Sequence, residues 1–183
     1  MTIEKLFTTR RQIRSFDEEK IPSRELIDDL LRKTFSLTPS KQNIFPYSVH
    51  VIGPEHYDLK GELYLLSQHM GQTSNTQSLA PYNLLFTARL AKLNAFNNKV
   101  AQGNIEIGMF SAILTALCIE QGLSVGYMLC YKDDVNYWSN FPNNNLRVEF
   151  TMHICYANDS VRPFVPEPKP EYDEVIDWYD PKI

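Results

Sequence analysis

Arg10-Arg11-Gln12-Ile13-Arg14-Ser15-Phe16 and Pro39-Ser40-Lys41-Gln42-Asn43-Ile44-Phe45-Pro46-Tyr47 are the two stretches that organise this chain, with one amphipathic segment between them. The first gathers positive charge in a protein whose formal net charge is −4. Arg10 and Arg14 are four apart, so a helical turn there would put both guanidinium groups on one side. A guanidinium presents a planar fork of donors that suits a phosphate better than an ammonium does. The second stretch sets Ser40, Gln42 and Asn43 between two prolines, as short hydrogen-bonding groups able to read the edge of a polar ring. Taken singly, an arginine cluster is more often a solvated surface, and the second stretch is a polar turn. Their order and spacing give them more weight together.

A chain of 183 residues suits one domain with a sizeable core. Hydrophobic residues at 43% and charged residues at 22% fit a soluble globular composition. The acidic balance argues against broad nucleic-acid binding, which needs a basic face, yet leaves room for a small basic pocket. Aromatic residues, at 12%, suit a pocket for a flat ligand and a packed core equally well. Cys118, Cys130 and Cys155 have neither zinc spacing nor the pattern of a disulfide framework, which fits a reducing cytoplasm. His50, His56, His69 and His153 form no recognisable ligand pair, so no metal site is expected. No apolar run is expected to reach membrane-spanning length, and residues 1–14 lack the apolar core of a secretory signal. The expected location is the cytoplasm.

Thr2 is placed to cap a short helix with Ile3, Leu6 and Phe7 on one face. Pro22-Ser23 starts the next, where Leu26, Ile27, Leu30, Leu31 and Phe35 form an apolar stripe that ends before Pro39. Residues 47–52 read as a strand with Val49 and Val51 inward. Residues 55–70 read as a helix burying Leu59, Leu63 and Leu66, with His56 and His69 on the surface. Residues 83–88 read as a strand buried on both faces. Residues 103–122 form a helix that is apolar nearly all round, as expected inside a domain or an interface. Its Gly108, Ser111, Ala112 and Ala116 are small enough to admit another backbone. Residues 125–131 and 148–156 complete the strands. In the last, Val148, Phe150, Met152 and Ile154 alternate with Glu149, Thr151, His153 and Cys155, so His153 should face a helix or water. Residues 133–141 suggest a short helix or turn. Prolines at 163, 166, 168 and 170 give an extended tail, whose aromatic end should pack on its own domain or on a partner.

This order of motifs resembles the nitroreductase family of FMN-dependent NAD(P)H oxidoreductases. The resemblance rests on Arg10-x-Gln12-x-Arg14-Ser15-Phe16, on Ile21-Pro22 before a helix, and on Pro39-Ser40-x-x-Asn43-x-x-Pro46-Tyr47. Gln121-Gly122-Leu123-Ser124-Val125-Gly126 is a looser match. The likeness implies an α+β fold with a mainly antiparallel central sheet wrapped by helices. It also implies an intertwined homodimer with FMN at the interface. Residues 1–160 would form the FMN-binding domain and 161–183 an arm embracing the partner subunit.

Residue by residue, the resemblance gives Arg10 and Arg14 to the FMN phosphate, with Arg11 beside them and Gln12 where the family often has serine. It implies that Ser40 and Asn43 meet the flavin of the partner subunit. Leu129 and Cys130 fall where backbone groups lie near flavin N5. Lys169, or Arg162 in its place, completes the phosphate site, and Asn75 matches a polar residue at the pyrimidine edge. Two departures stand out. Phe45 stands where glutamine is common, and Leu129-Cys130 replaces a Glu-Gly pair of some members, which removes a carboxylate near the nicotinamide. A small buried strand residue is the plainer role for Cys130.

The activity implied is electron transfer from NAD(P)H through FMN to a nitroaromatic, quinone or similar acceptor, by a ping-pong scheme that needs no side-chain acid or base. Other flavin chemistry on the same fold (dehalogenation or flavin breakdown) and a non-catalytic FMN binder are the alternatives. A nucleic-acid or protein module built on the arginine cluster fits the acidic total least well.

Overall fold

Helix boundaries follow the capping residues. The computed structural model describes residues 2–67, 76–89, 100–129, 148–158 and 168–176. Thr2 Oγ1 accepts from the Lys5 amide at 3.3 Å and opens α1, Ile3–Thr9. Only Leu6 of the expected apolar face is buried; Ile3 and Phe7 are 75% and 45% exposed, because the two-turn helix touches the rest of the chain along a narrow line. Ser23 Oγ accepts from the Leu26 amide at 3.2 Å and opens α2, Arg24–Leu37. Ile27, Leu30 and Thr34 are its buried residues. The expected stripe is corrected at its end. Thr34 takes the inward position and closes its hydroxyl on the Leu30 carbonyl at 2.7 Å, while Phe35 turns outward, 57% exposed. Next come β1 (Tyr47–Ile52), α3 (Tyr57–Leu66) and β2 (Tyr82–Ala88). The long α4 spans Val100–Glu120. It ends as glycine permits: Gly122 sits at φ +72°, its amide bonds the Ile119 carbonyl at 3.0 Å, and the Leu123 amide bonds that of Cys118 at 2.9 Å. Then follow β3 (Ser124–Met128), β4 (Val148–Cys155) and the one-turn α5 (Tyr172–Val175).

The four strands form one antiparallel sheet in the order β1-β2-β4-β3. As its unbroken apolar run suggests, β2 lies between two neighbours and is buried on both faces. Leu84 and Phe86 join Met152, Ile154, Ile27, Leu30, Phe110 and Leu114 in the main core, between the sheet and α2 with α4. Leu85 points the other way, to Ile52 and Leu63 of α3. Full burial of one such side chain contributes about 1.5–3 kcal/mol. Two expectations for the strands are corrected. A bulge opposite Phe86 and Thr87 skips Glu149, so Val148 leaves the face of Phe150 and packs with Ile52, Leu63 and Leu85. Val51 is 42% exposed, on a strand at the edge of the sheet.

The expectation about membrane-spanning length is also corrected. Residues 103–120, with mean hydropathy 1.3, are long and apolar enough to cross a membrane by length and composition. In this fold the buried side of that helix packs on α2 and the sheet. Its other side carries exposed Asn104, Ile105, Gly108 and Ala112. The expected helix or turn at 133–141 and most of the proline-rich arm lie outside the described residues.

Candidate functional site

The first arginine stretch is not helical. Arg10 is extended at φ −63°, ψ 128°, so α1 stops at Thr9 and the following residues run along the open edge of β3. Gln12 bridges Val125 in parallel, and the Ile13 amide bonds the Val125 carbonyl at 3.3 Å. Phe16 then bridges Ala157, with the Asp17 amide on the Tyr156 carbonyl at 3.0 Å. The peptide groups that a helix would have paired internally are taken up by the sheet. Alternation, not a helical turn, now decides which side chains share a side.

Gly126 makes this docking possible. A Cβ there would lie 2.4 Å from the Ile13 carbonyl oxygen and 2.9 Å from Gln77 Oε1. Gln77 is 1% exposed, and it accepts from Gln12 Nε2 at 3.3 Å. Gln12 also binds both ends of the Tyr127 residue: Nε2 donates to its carbonyl at 2.8 Å, and its amide donates to Gln12 Oε1 at 3.3 Å. The side-chain amide thus works as a length of strand. Thr76, at the start of the turn Thr76–Leu79, donates to the Arg14 carbonyl at 2.9 Å.

Tyr127 links the arginine strip to a cleft. The Arg10 guanidinium lies 4.6 Å from the centre of its ring and donates to Gln12 Oε1 at 3.1 Å. The ring meets Phe150 edge-on at 5.2 Å. Its hydroxyl bonds Thr115 of α4 and approaches the Ser111 carbonyl at 3.4 Å. Ser111 and Phe150, with Asn104, Gly108, Leu129 and Glu149, line an open cleft of about 180 Å³. Leu129 is 70% exposed at its mouth. The peptide before it is fixed from below: Thr151, fully buried, donates to the Met128 carbonyl at 3.1 Å. No peptide among the described residues is cis, so the Leu129 N–H points away from Thr151.

Beneath Thr151 lies a buried histidine. His153 is inward, as one of its two expected orientations had it, and it is fully buried. Asn83 Nδ2 donates to the Ser78 and Ala80 carbonyls at 3.1 and 3.0 Å, so its Oδ1 is left to accept from His153 Nδ1–H. Nε2 faces Thr151 Oγ1 at 3.4 Å. Burial pushes the imidazole pKa down to about 3, so the ring is neutral at ordinary pH. Burial also pushes the thiols up, to about 12 for Cys118 and about 11 for Cys155, which makes both poor nucleophiles. Among the described residues no group of three or more His, Cys, Asp or Glu could hold a metal.

The second stretch is held by a separate set of bonds. Lys41–Asn43 form a turn after extended Ser40. Gln42, Asn43 and Phe45 take φ values of 54°, 55° and 46°. Ser40 Oγ accepts from the Phe45 amide at 2.8 Å, and the Lys41 amide donates to Glu106 of α4 at 3.2 Å. Phe45 packs on Phe35 at 4.6 Å and Tyr47 at 6.1 Å.

Of the residues singled out from sequence, Arg10 and Gln12 are thus brought to Tyr127, and Leu129 lines the cleft. Arg11 and Arg14 are exposed on the same strip, and Lys169 is exposed in the tail. Ser40 and Asn43 belong to the loop at Glu106. Asn75, Cys130 and Arg162 lie outside the described residues. Sequence reasoning missed Gln77, Glu106, Tyr127 and Thr151. Only Glu106 carried a signal, as a lone carboxylate in an otherwise apolar turn of helix.

Among solved structures, this chain is similar over 97% of its length to a nitroreductase-like protein from Streptococcus mutans, at TM-score 0.73 and 16% identity, covering 98% of that chain. The chain has the nitroreductase fold. A nitroreductase with bound FMN from Desulfitobacterium hafniense shares that fold at TM-score 0.68 and 15% identity, over 98% of this chain and 100% of that one. An FMN and NADPH-dependent nitroreductase from Sphigopyxis sp. matches at TM-score 0.73 and 16% identity, again over 98% and 100%. No family model and no curated protein sequence matches the chain. At these identities the likeness is one of fold, and the nitroreductase fold accounts for the antiparallel sheet and its wrapping helices.

Proposed function

We propose that this protein binds FMN and works as an FMN-dependent oxidoreductase in the cytoplasm. The observation that carries the reading is the docking of the arginine strip on β3 near the Leu129 cleft, with Tyr127 touching Arg10 and Gln12 of the strip and Phe150 and Ser111 of the cleft wall. The residues present fit the group. Arg10 and Arg14 supply cations for a phosphate, with Lys169 as a third. The cleft offers apolar Leu129 and Phe150 beside small Gly108 and Ser111, which suits a flat ring. When bound, FMN would accept a hydride from NAD(P)H and deliver electrons to a nitroaromatic, a quinone or a similar acceptor, in ping-pong order.

The chain's own part is binding and orientation. Gln12 is engaged with Tyr127 and holds the strip in place. Thr151 turns the Leu129 N–H outward, where it can donate to a ring edge and stabilise charge there. No side chain is needed to move a proton.

The same geometry supports a homodimer. Glu106, which holds the Ser40–Asn43 loop, lies about 200° around α4 from Asn104 and Gly108, which line the cleft. A second subunit would bring its Ser40 and Asn43 to this cleft. The exposed stripe of Asn104, Ile105, Gly108 and Ala112 would lie in that interface, with residues 161–183 as an arm on the partner. Mixing FMN-loaded protein with NADH or NADPH and a nitroaromatic or quinone tests the reading. Nicotinamide oxidation that depends on the acceptor supports it; a flavin-loaded dimer that turns over neither nicotinamide contradicts it.

A further inference from the structure

The loop at residues 40–45 holds a conformation that its sequence does not favour. Gln42, Asn43 and Phe45 all lie in the left-handed region, and only asparagine tolerates it well. Something outside the loop must over-determine this shape. Phe45 is fixed by Phe35 and Tyr47, and the Arg89 amide holds the Pro46 carbonyl at 2.9 Å. At the other end the Lys41 amide is held by Glu106 Oε1 at 3.2 Å.

Glu106 is a conspicuous residue. It is 4% exposed, on a helix whose neighbouring positions are apolar. Its Oε2 and the buried hydroxyl of Tyr47 have no hydrogen-bond partner among the described residues. Burial, and then the charge of Glu106, push the Tyr47 pKa up, so Tyr47 stays a phenol. A buried carboxylate is costly unless its hydrogen bonds repay the loss of water. We propose that Glu106 is a positioning residue: through the Lys41 amide it holds the strained loop in the shape that presents Ser40 and Asn43 to the flavin. What the loop meets rests on the FMN reading above; the hold itself does not.

The hold is read without flavin by limited trypsin digestion at the Lys41-Gln42 bond. Glu106→Met fills a similar volume without an acceptor, and Glu106→Gln keeps the acceptor without the charge. The expected result is cleavage after Lys41 at least about tenfold faster in Glu106→Met, and near the wild-type rate in Glu106→Gln. FMN binding should weaken by about the same factor in Glu106→Met, with a shifted flavin absorption band, and recover in Glu106→Gln. The Lys41 amide should exchange with deuterium slowly in the wild-type protein and in Glu106→Gln, and at least about tenfold faster in Glu106→Met. Unchanged cleavage in Glu106→Met, equal damage in both variants, or fast exchange at Lys41 in the wild-type protein would overturn the proposal. Wild-type protein that takes up no FMN contradicts the flavin reading instead, while digestion and exchange still decide whether Glu106 holds the loop.

Discussion

Gln12 grips Tyr127 at both ends of that residue, donating to its carbonyl at 2.8 Å and accepting from its amide at 3.3 Å. This grip aligns the arginine strip with β3, and it depends on the close approach of Ile13 to Gly126. Gly126→Ala would set a methyl group 2.4 Å from the Ile13 carbonyl oxygen. Backbone has to move, since no flexible side chain can yield there. The expected loss is about 1–3 kcal/mol of stability, measured by urea denaturation. FMN affinity should fall with it.

Arg14→Ala tests the phosphate end of the site. Arg14 is exposed, and Thr76 holds its carbonyl, so removing the side chain leaves the backbone anchor in place. A charge-assisted bond contributes about 1.5–3 kcal/mol, which predicts about ten- to a hundredfold weaker FMN binding in a variant that still folds. Fluorescence titration with FMN measures this. Undiminished binding would put the phosphate elsewhere.

Thr151→Val keeps the shape and removes the hydroxyl that holds the Met128 carbonyl. The Leu129 N–H is then free to turn. Flavin reduction by NAD(P)H, followed by stopped flow, should slow, while FMN binding changes little. A reduction rate equal to wild type would show that this peptide needs no support.

The buried histidine sets a pH dependence. The folded-state pKa of His153 is about 3, below the ordinary value of 6.5, so the unfolded chain binds a proton that the folded one does not. Stability is complete above the unfolded pKa and falls as pH drops from 6.5 towards 3. His50, whose pKa is also lowered by burial, acts in the same direction. From pH 6.5 to pH 5 the loss due to His153 is about 2 kcal/mol. Denaturation curves at the two pH values should show it, and His153→Gln should flatten the slope. An equal slope in that variant would assign the effect to other groups.

Much of the fold was legible because local signals agreed. Ser23 and Gly122 mark helix ends by hydrogen bonds that their side chain or backbone makes possible. Leu84, Leu85 and Phe86 announce a strand covered on both faces. The arginine strip was read as a helical turn and is extended. Spacing of four suggested a helical turn, but the open edge of β3 offers those peptide groups partners that no local pattern reveals. The bulge at Glu149 was hidden for the same reason, since alternation along one strand does not show where its neighbour slips. Tyr127 and Thr151 matter through residues more than ten positions away, Arg10 and Met128. Such pairings belong to the tertiary fold.

The proposed function requires the strip and the cleft together to hold FMN. The visible absorption spectrum of the purified dialysed protein, after incubation with FMN and removal of the free flavin, tests it most directly. A yellow protein with flavin retained at one FMN per chain is expected. A colourless protein, folded and carrying no flavin, would contradict it.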